Sequence, residues 1–231
     1  MLELIDVDAF YGNSRALQSV SMQIRDKELL SVLGRNGVGK TTLLRTIIGL
    51  MDRMTGELRL DDQDIARVPT DERAKIGIAY VPQGRGILPN FTVRENLYLG
   101  LFARPIQTTV IDDFVFELFP MLKEFLSRLG GNLSGGQQQQ LAIARALLTE
   151  PKIILLDEPT EGIQPSIVEE IEEVILKLNR EHGIAAILVE QNVAFARRAS
   201  QRFVIMERGT IAAQGDIGEL TDSLVHKHMT V

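Results

Sequence analysis

Apolar and polar residues alternate from Leu2 to Val7 and again over Val20-Ser21-Met22-Gln23-Ile24. That is the two-residue period of strands with one exposed face. Leu58-Arg59-Leu60 follows a turn-like Thr55-Gly56, and together these segments predict an antiparallel sheet in the first quarter of the chain. Three other runs are continuously apolar but for Ser31: Leu29 to Leu33, Ile153 to Leu156, and Ile184 to Val189. Such runs suit parallel strands covered on both faces. Between the last two, Ile167, Ile171, Val174 and Leu178 fall on one helical stripe. Pro165 suits the entrance of that helix, and Ser166 with Glu169 has capping-box spacing. Its other face carries Glu169, Glu170, Glu172 and Glu173 and reads as a solvated surface. Val93 to Leu148 is mostly helix-like. Near the end, Phe203-Val204-Ile205-Met206 and Thr210-Ile211-Ala212 flank Arg208-Gly209 as a hairpin. The expected architecture is one α/β domain over 1–231. It has a mostly parallel core sheet, an antiparallel β subdomain, and a helical subdomain inserted at about 84–150.

Composition narrows the chemistry. The absence of cysteine excludes disulfides and thiolate metal sites. Only His182, His226 and His228 could be imidazole ligands, and the last two read as solvated tail residues. The formal charge is −6, with no basic stripe, which argues against nucleic acid as a partner. Met1 to Asp6 lacks the basic and apolar regions of a signal peptide, and no apolar run is long enough to cross a bilayer. Any service to a membrane would therefore pass through a partner.

Gly34-Arg35-Asn36-Gly37-Val38-Gly39-Lys40-Thr41-Thr42 follows the apolar run Leu29 to Leu33 and precedes a helical stretch. This is a G-x-x-x-x-G-K-[ST] phosphate loop in its strand–loop–helix context. Its glycines let successive backbone N–H groups turn inward toward phosphate oxygens, and the helix start adds its positive end. Lys40 is expected to reach the β- and γ-phosphates, and the Thr41 hydroxyl to ligate Mg²⁺. Downstream, Ile153-Ile154-Leu155-Leu156 delivers Asp157 and Glu158 at the end of a strand, where α/β proteins place ligands. Asp157 is expected to hold Mg²⁺, and Glu158 to polarise the attacking water as general base.

Many nucleotide-binding proteins share those two sites. The stretch Leu133-Ser134-Gly135-Gly136-Gln137, followed by a helical Gln138 to Leu147, resembles the signature of ABC ATPases. The resemblance covers nearly the whole chain and implies the P-loop fold of ABC type, with ATP and Mg²⁺ as ligands. It implies that residues 133–137 act on ATP held by a second ATPase subunit, so that two chains sandwich two nucleotides. Tyr11 matches the aromatic that stacks on adenine in this family, and Gln83 the glutamine that senses Mg²⁺. The helical arm would dock on two membrane permease subunits, with a solute-binding protein beyond them. That places the chain at the cytoplasmic face of a bacterial membrane.

Two positions depart from the family pattern. The loop after Pro159-Thr160 reads Glu161-Gly162-Ile163-Gln164 where an aspartate is usual, and Gln191 stands at a switch position that is commonly histidine. Glutamine can bond a γ-phosphate but cannot carry a proton as imidazole does. A slow site in this chain, completing a faster one in a different partner, would suit a heterodimer; a homodimer is possible in isolation. Val189-Glu190-Gln191 and Glu161-Gly162 are similar to the second ATPase of branched-chain amino acid importers. Within that group, the phosphate loop, Glu117-Leu118-Phe119-Pro120, Gln137 to Gln140 and Glu161 to Ser166 look most like the urea or short-chain amide importer.

Overall fold

A computed structural model describes residues 1–104 and 108–229. The part of the expected helical arm at 105–107 lies outside them. Two sheets organise the chain. The first is antiparallel, in the order β2-β1-β4-β5, from β1 (Leu2–Tyr11), β2 (Ser14–Ile24), β4 (Arg53–Leu60) and β5 (Gln63–Asp64). The second has six strands in the order β10-β9-β3-β8-β7-β6. Its members β3 (Leu29–Leu33), β6 (Ile78–Val81), β7 (Ile153–Asp157), β8 (Ala185–Glu190) and β9 (Arg202–Glu207) pair in parallel, and β10 (Thr210–Asp216) returns antiparallel on β9. The three apolar runs are thus adjacent central strands, buried on both faces as expected.

Alternation along these strands divides the core. Leu30, Val32, Ile153, Leu155, Ile187 and Val189 join the inner face of the antiparallel sheet, with Leu43, Leu44 and Ile47 of α1 (Lys40–Ile48) between. Their neighbours Ile154, Leu156, Ala186 and Leu188 face the other way, onto a second cluster built by the helices that follow β6. Those helices are α3 (Val93–Leu101), α4 (Asp113–Leu118), α5 (Pro120–Glu124) and α6 (Gly135–Leu147), after the short α2 (Thr70–Lys75). Three more, α7 (Pro165–Arg180), α8 (Val193–Ala199) and α9 (Asp222–Met229), complete the order.

Helices α3 and α6 cross closely at Gly100. A Cβ there would lie 2.2 Å from the Arg145 carbonyl oxygen and 2.9 Å from Leu148 Cβ. Backbone cannot yield as a flexible side chain can, so Gly100→Ala is expected to destabilise the fold by about 1–3 kcal/mol. Urea denaturation read by circular dichroism checks this.

Three local expectations are corrected. Thr55-Gly56 is not a turn but part of β4. It sits where the β1–β4 register shifts between Ile5 and Asp8, and Gly56 adopts φ +87 because a Cβ would meet the Asp6 carbonyl oxygen at 2.4 Å. The Ser166–Glu169 capping box does not form. Gln164 is the N-cap of α7 and makes no side-chain cap bond, because Pro165 occupies the first helical position and draws the helix start forward. The acidic face of α7 is not wholly solvated either. Glu172 is buried against Arg198 of α8, and Glu170 accepts a bond of 2.9 Å from Gln140 of α6. Among the described residues, no helix is long and apolar enough to cross a membrane.

Candidate active site

The phosphate loop joins β3 to α1. Gly39 is the N-cap of α1 at φ +111 and offers no side chain, so the first-turn amides are left for an anion. Gly34 takes φ +150, since a Cβ would lie 2.7 Å from the Met206 carbonyl oxygen. Asn36, Gly37, Val38, Gly39, Lys40, Thr41 and Thr42 line a cleft of about 480 Å³, together with Gln83 and Glu158. Arg15, Ala16, Arg208 and Gly209 close its far side.

Lys40 is buried, and its ammonium donates to the carbonyls of Gly34 at 2.8 Å and Arg35 at 3.0 Å. It also lies 3.3 Å from Glu158. Glu158 adopts φ +47, a left-handed conformation uncommon for a residue with a side chain, and its N–H donates to Val189 at 3.0 Å. Gln191, after β8, donates its amide to both Glu158 oxygens, at 3.2 and 3.1 Å. The carboxylate is therefore fixed between a cation and an amide at the cleft wall.

Asp157 is only 1% exposed. Burial pushes its carboxyl above the ordinary value, opposed by hydroxyl bonds from Tyr80 and Thr41. Thr41 donates to Oδ1 at 3.1 Å and Tyr80 to Oδ2 at 3.0 Å. Burial, reinforced by the neighbouring Asp157, pushes the Tyr80 phenol up as well, so it keeps its proton and acts as the donor. Glu190 is likewise raised by burial, with Thr160 bonding it at 2.8 Å.

Among the described residues, no cluster of three or more His, Cys, Asp or Glu could cage a metal ion. Thr41 and Asp157 fit Mg²⁺ in another way: two oxygen donors, with the remaining ligands to come from phosphates and water. Gln83 stands at the cleft edge, but its Nε2 donates to Glu161 at 2.7 Å. To face a metal through its carbonyl it has to leave that partner.

Not every expected residue meets at the cleft. Tyr11 is 39% exposed and does not line it; its hydroxyl faces Arg45 of α1 at 3.5 Å. Ser134, Gly135, Gly136 and Gln137 do not line it either. They begin α6, where Ser134 is the N-cap and forms a full capping box with Gln137. That box occupies the Ser134 and Gln137 amides, so the donors left for an anion are those of Gly135 and Gly136. Side chains crowd both positions. A Cβ on Gly136 would meet Ile167 at 2.5 Å, and one on Gly135 would meet Arg85 at 2.9 Å.

Three residues at the site escaped sequence reasoning, Arg15, Arg208 and Tyr80, and Glu161 was singled out only as a departure from the family pattern, not as a partner of Gln83. Arg208-Gly209 was readable only as a hairpin turn, yet the Gly209 N–H donates to the Val38 carbonyl at 2.8 Å and ties that turn to the phosphate loop. These contacts depend on strand order, which adjacent sequence does not carry.

The family model described as ABC transporter matches residues 17–161. The chain belongs to the ABC transporter family. It is an ATP-binding domain of that family, which hydrolyses ATP. The chain is 40% identical to the high-affinity branched-chain amino acid transport ATP-binding protein BraG of Pseudomonas aeruginosa, over 91% of each chain. It is 35% identical to the probable branched-chain amino acid transport ATP-binding protein LivF of Archaeoglobus fulgidus, over 96% of this chain and 94% of that one. Among solved structures, the ATP-binding cassette MJ0796, dimeric and bound to ADP and Pi, superposes with a TM-score of 0.83 at 29% identity. That match covers 94% of this chain and 99% of the cassette.

Proposed function

We propose that this ABC ATPase powers an importer for branched-chain or chemically related amino acids. The observation that carries the ATPase half of this reading is a convergence. The phosphate loop and Glu158 meet at one cleft, with Gln191 bonded to Glu158 and Asp157 bonded to Thr41, while the α6 start at Ser134 does not line it. Gly34, Arg35, Asn36, Gly37, Val38, Gly39, Lys40, Thr41 and Thr42 hold the phosphates, and Tyr11 packs on adenine. Thr41, Asp157 and Gln83 would hold Mg²⁺, whose positive charge would offset that of the phosphates. Glu158 takes the proton of the attacking water, and Gln191 keeps its carboxylate aimed. The Gly135 and Gly136 amides, held by Ser134 and Gln137, meet the γ-phosphate of ATP on a second ATPase subunit. That partner is a different subunit in the working complex, and a second copy of this chain in isolation.

The importer half rests on BraG and LivF, whose names are those of branched-chain amino acid transport. A groove of about 370 Å³, walled by Ile48, Leu50, Ala79, Tyr80 and Leu99, supports docking on one membrane permease subunit; two such subunits, fed by a solute-binding protein, would complete the importer. Leu50 there stays 52% exposed, an apolar surface that a partner would cover. The chain then works at the cytoplasmic face of a bacterial membrane.

Urea or short-chain amide import is the second reading, carried by Glu117 to Pro120, Gln137 to Gln140 and Glu161 to Ser166. The test is uptake of labelled leucine and of labelled urea by cells whose only copy of this chain carries Lys40→Ala. Loss of leucine uptake alone supports the main reading, and loss of urea uptake alone the second. Unchanged uptake of both contradicts each.

A further inference from the structure

Asp157 is anchored at both oxygens, and only one anchor belongs to the phosphate loop. Thr41 Oγ1 donates to Oδ1 at 3.1 Å and Tyr80 donates to Oδ2 at 3.0 Å. A hydroxyl can keep its proton on a carboxylate while its oxygen lone pairs face a cation, so Thr41 can serve Asp157 and Mg²⁺ together. The Tyr80 hydroxyl has no such second duty. It reaches Asp157 from β6, the strand beside β7, where Tyr80 pairs with Leu155 and so shares a sheet face with Asp157. Arg45 of α1 stands nearby and donates to the Tyr11 hydroxyl at 3.5 Å. An ionised carboxylate can only accept, so the phenolic proton of Tyr80 is the one that lies on Asp157.

We propose that Tyr80 is a positioning residue for the metal. By fixing Oδ2 it stops the Asp157 carboxylate from rotating and keeps the free lone pairs of Oδ1 on the Mg²⁺ position beside Thr41. Without that hydroxyl, Oδ2 is left buried and unbonded, and the carboxylate turns to find another donor. This rests on the reading of the cleft as the nucleotide site. A tyrosine that only packed in the groove wall would predict different measurements.

The variant is Tyr80→Phe, which removes one oxygen and keeps the ring. Binding of the non-hydrolysable analogue AMP-PNP is measured by calorimetry in EDTA and across a Mg²⁺ titration. The affinity in EDTA is expected to stay at the parental value. The Mg²⁺ concentration at half-effect is expected to rise about tenfold, the loss of one hydrogen bond to a charged group. The Mg²⁺ dependence of ATP hydrolysis shifts in the same direction. In an Asp157→Asn background the same change is expected to have no further effect on the Mg²⁺ midpoint, because Tyr80 acts through that carboxylate. A midpoint within about twofold of the parent overturns the proposal, as does a full shift that persists in the Asp157→Asn background. A parent chain that binds no AMP-PNP at all overturns the reading of the cleft and the proposal with it.

Discussion

Glu158→Gln is expected to leave ATP bound while slowing hydrolysis by about 10²–10⁴-fold, the usual contribution of a positioned general base. The substitution keeps the size of the side chain and one acceptor oxygen, so Gln191 retains a partner for its amide. What is lost is the group that can take a proton, together with the negative charge 3.3 Å from Lys40. Binding should therefore be maintained or improved, since the triphosphate no longer competes with a carboxylate for that ammonium. Single-turnover hydrolysis and equilibrium ATP binding, measured on the same preparation, separate the two effects. Hydrolysis at the parental rate would remove Glu158 from the role of base.

Lys40→Ala has the opposite signature. Its ammonium is the buried cation of the phosphate loop, held by the Gly34 and Arg35 carbonyls until a phosphate arrives. Losing a charge-assisted contact to the β- and γ-phosphates is expected to weaken ATP binding by about a hundredfold. The change also leaves two carbonyls without their donor and Glu158 without its cation, so a lower melting temperature should accompany the loss. Fluorescent-nucleotide titration checks the affinity. Parental affinity for ATP would mean that the loop amides alone hold the phosphates.

The local motifs were readable because their physics is contiguous. The phosphate loop needs one strand, one run of glycines and one helix start, all within Leu29 to Ile48. The central apolar strands were readable because both their faces are buried, and the β9–β10 hairpin because its turn separates two apolar stretches. Contacts that depend on the stacking of distant elements were not readable. Tyr80 reaches Asp157 only because β6 lies beside β7, and Arg15 and Arg208 reach the cleft only because β2 and the β9–β10 turn pack against the phosphate loop. Glu172 looked solvated by its place on a charged helix face, until α8 brought Arg198 against it. Gly56 read as a turn because a glycine at a strand bulge and one at a turn answer the same demand for positive φ. The solute was the least legible of all. The similarity of residues 161–166 pointed to urea or amides, whereas the relatives BraG and LivF favour branched-chain amino acids. Nothing in an ATPase subunit has to contact the solute, so its residues carry that information only through descent.

The central claim is that ATP is held between the phosphate loop of one chain and the α6 start of another. The most direct test is the molar mass of the Glu158→Gln protein by light scattering, with and without ATP. The chain is 25.7 kDa, and the account predicts an ATP-dependent doubling of that mass. It also predicts that Ser134→Arg in the same background abolishes the doubling while ATP still binds. A monomer in saturating ATP, or a dimer indifferent to Ser134→Arg, would contradict it.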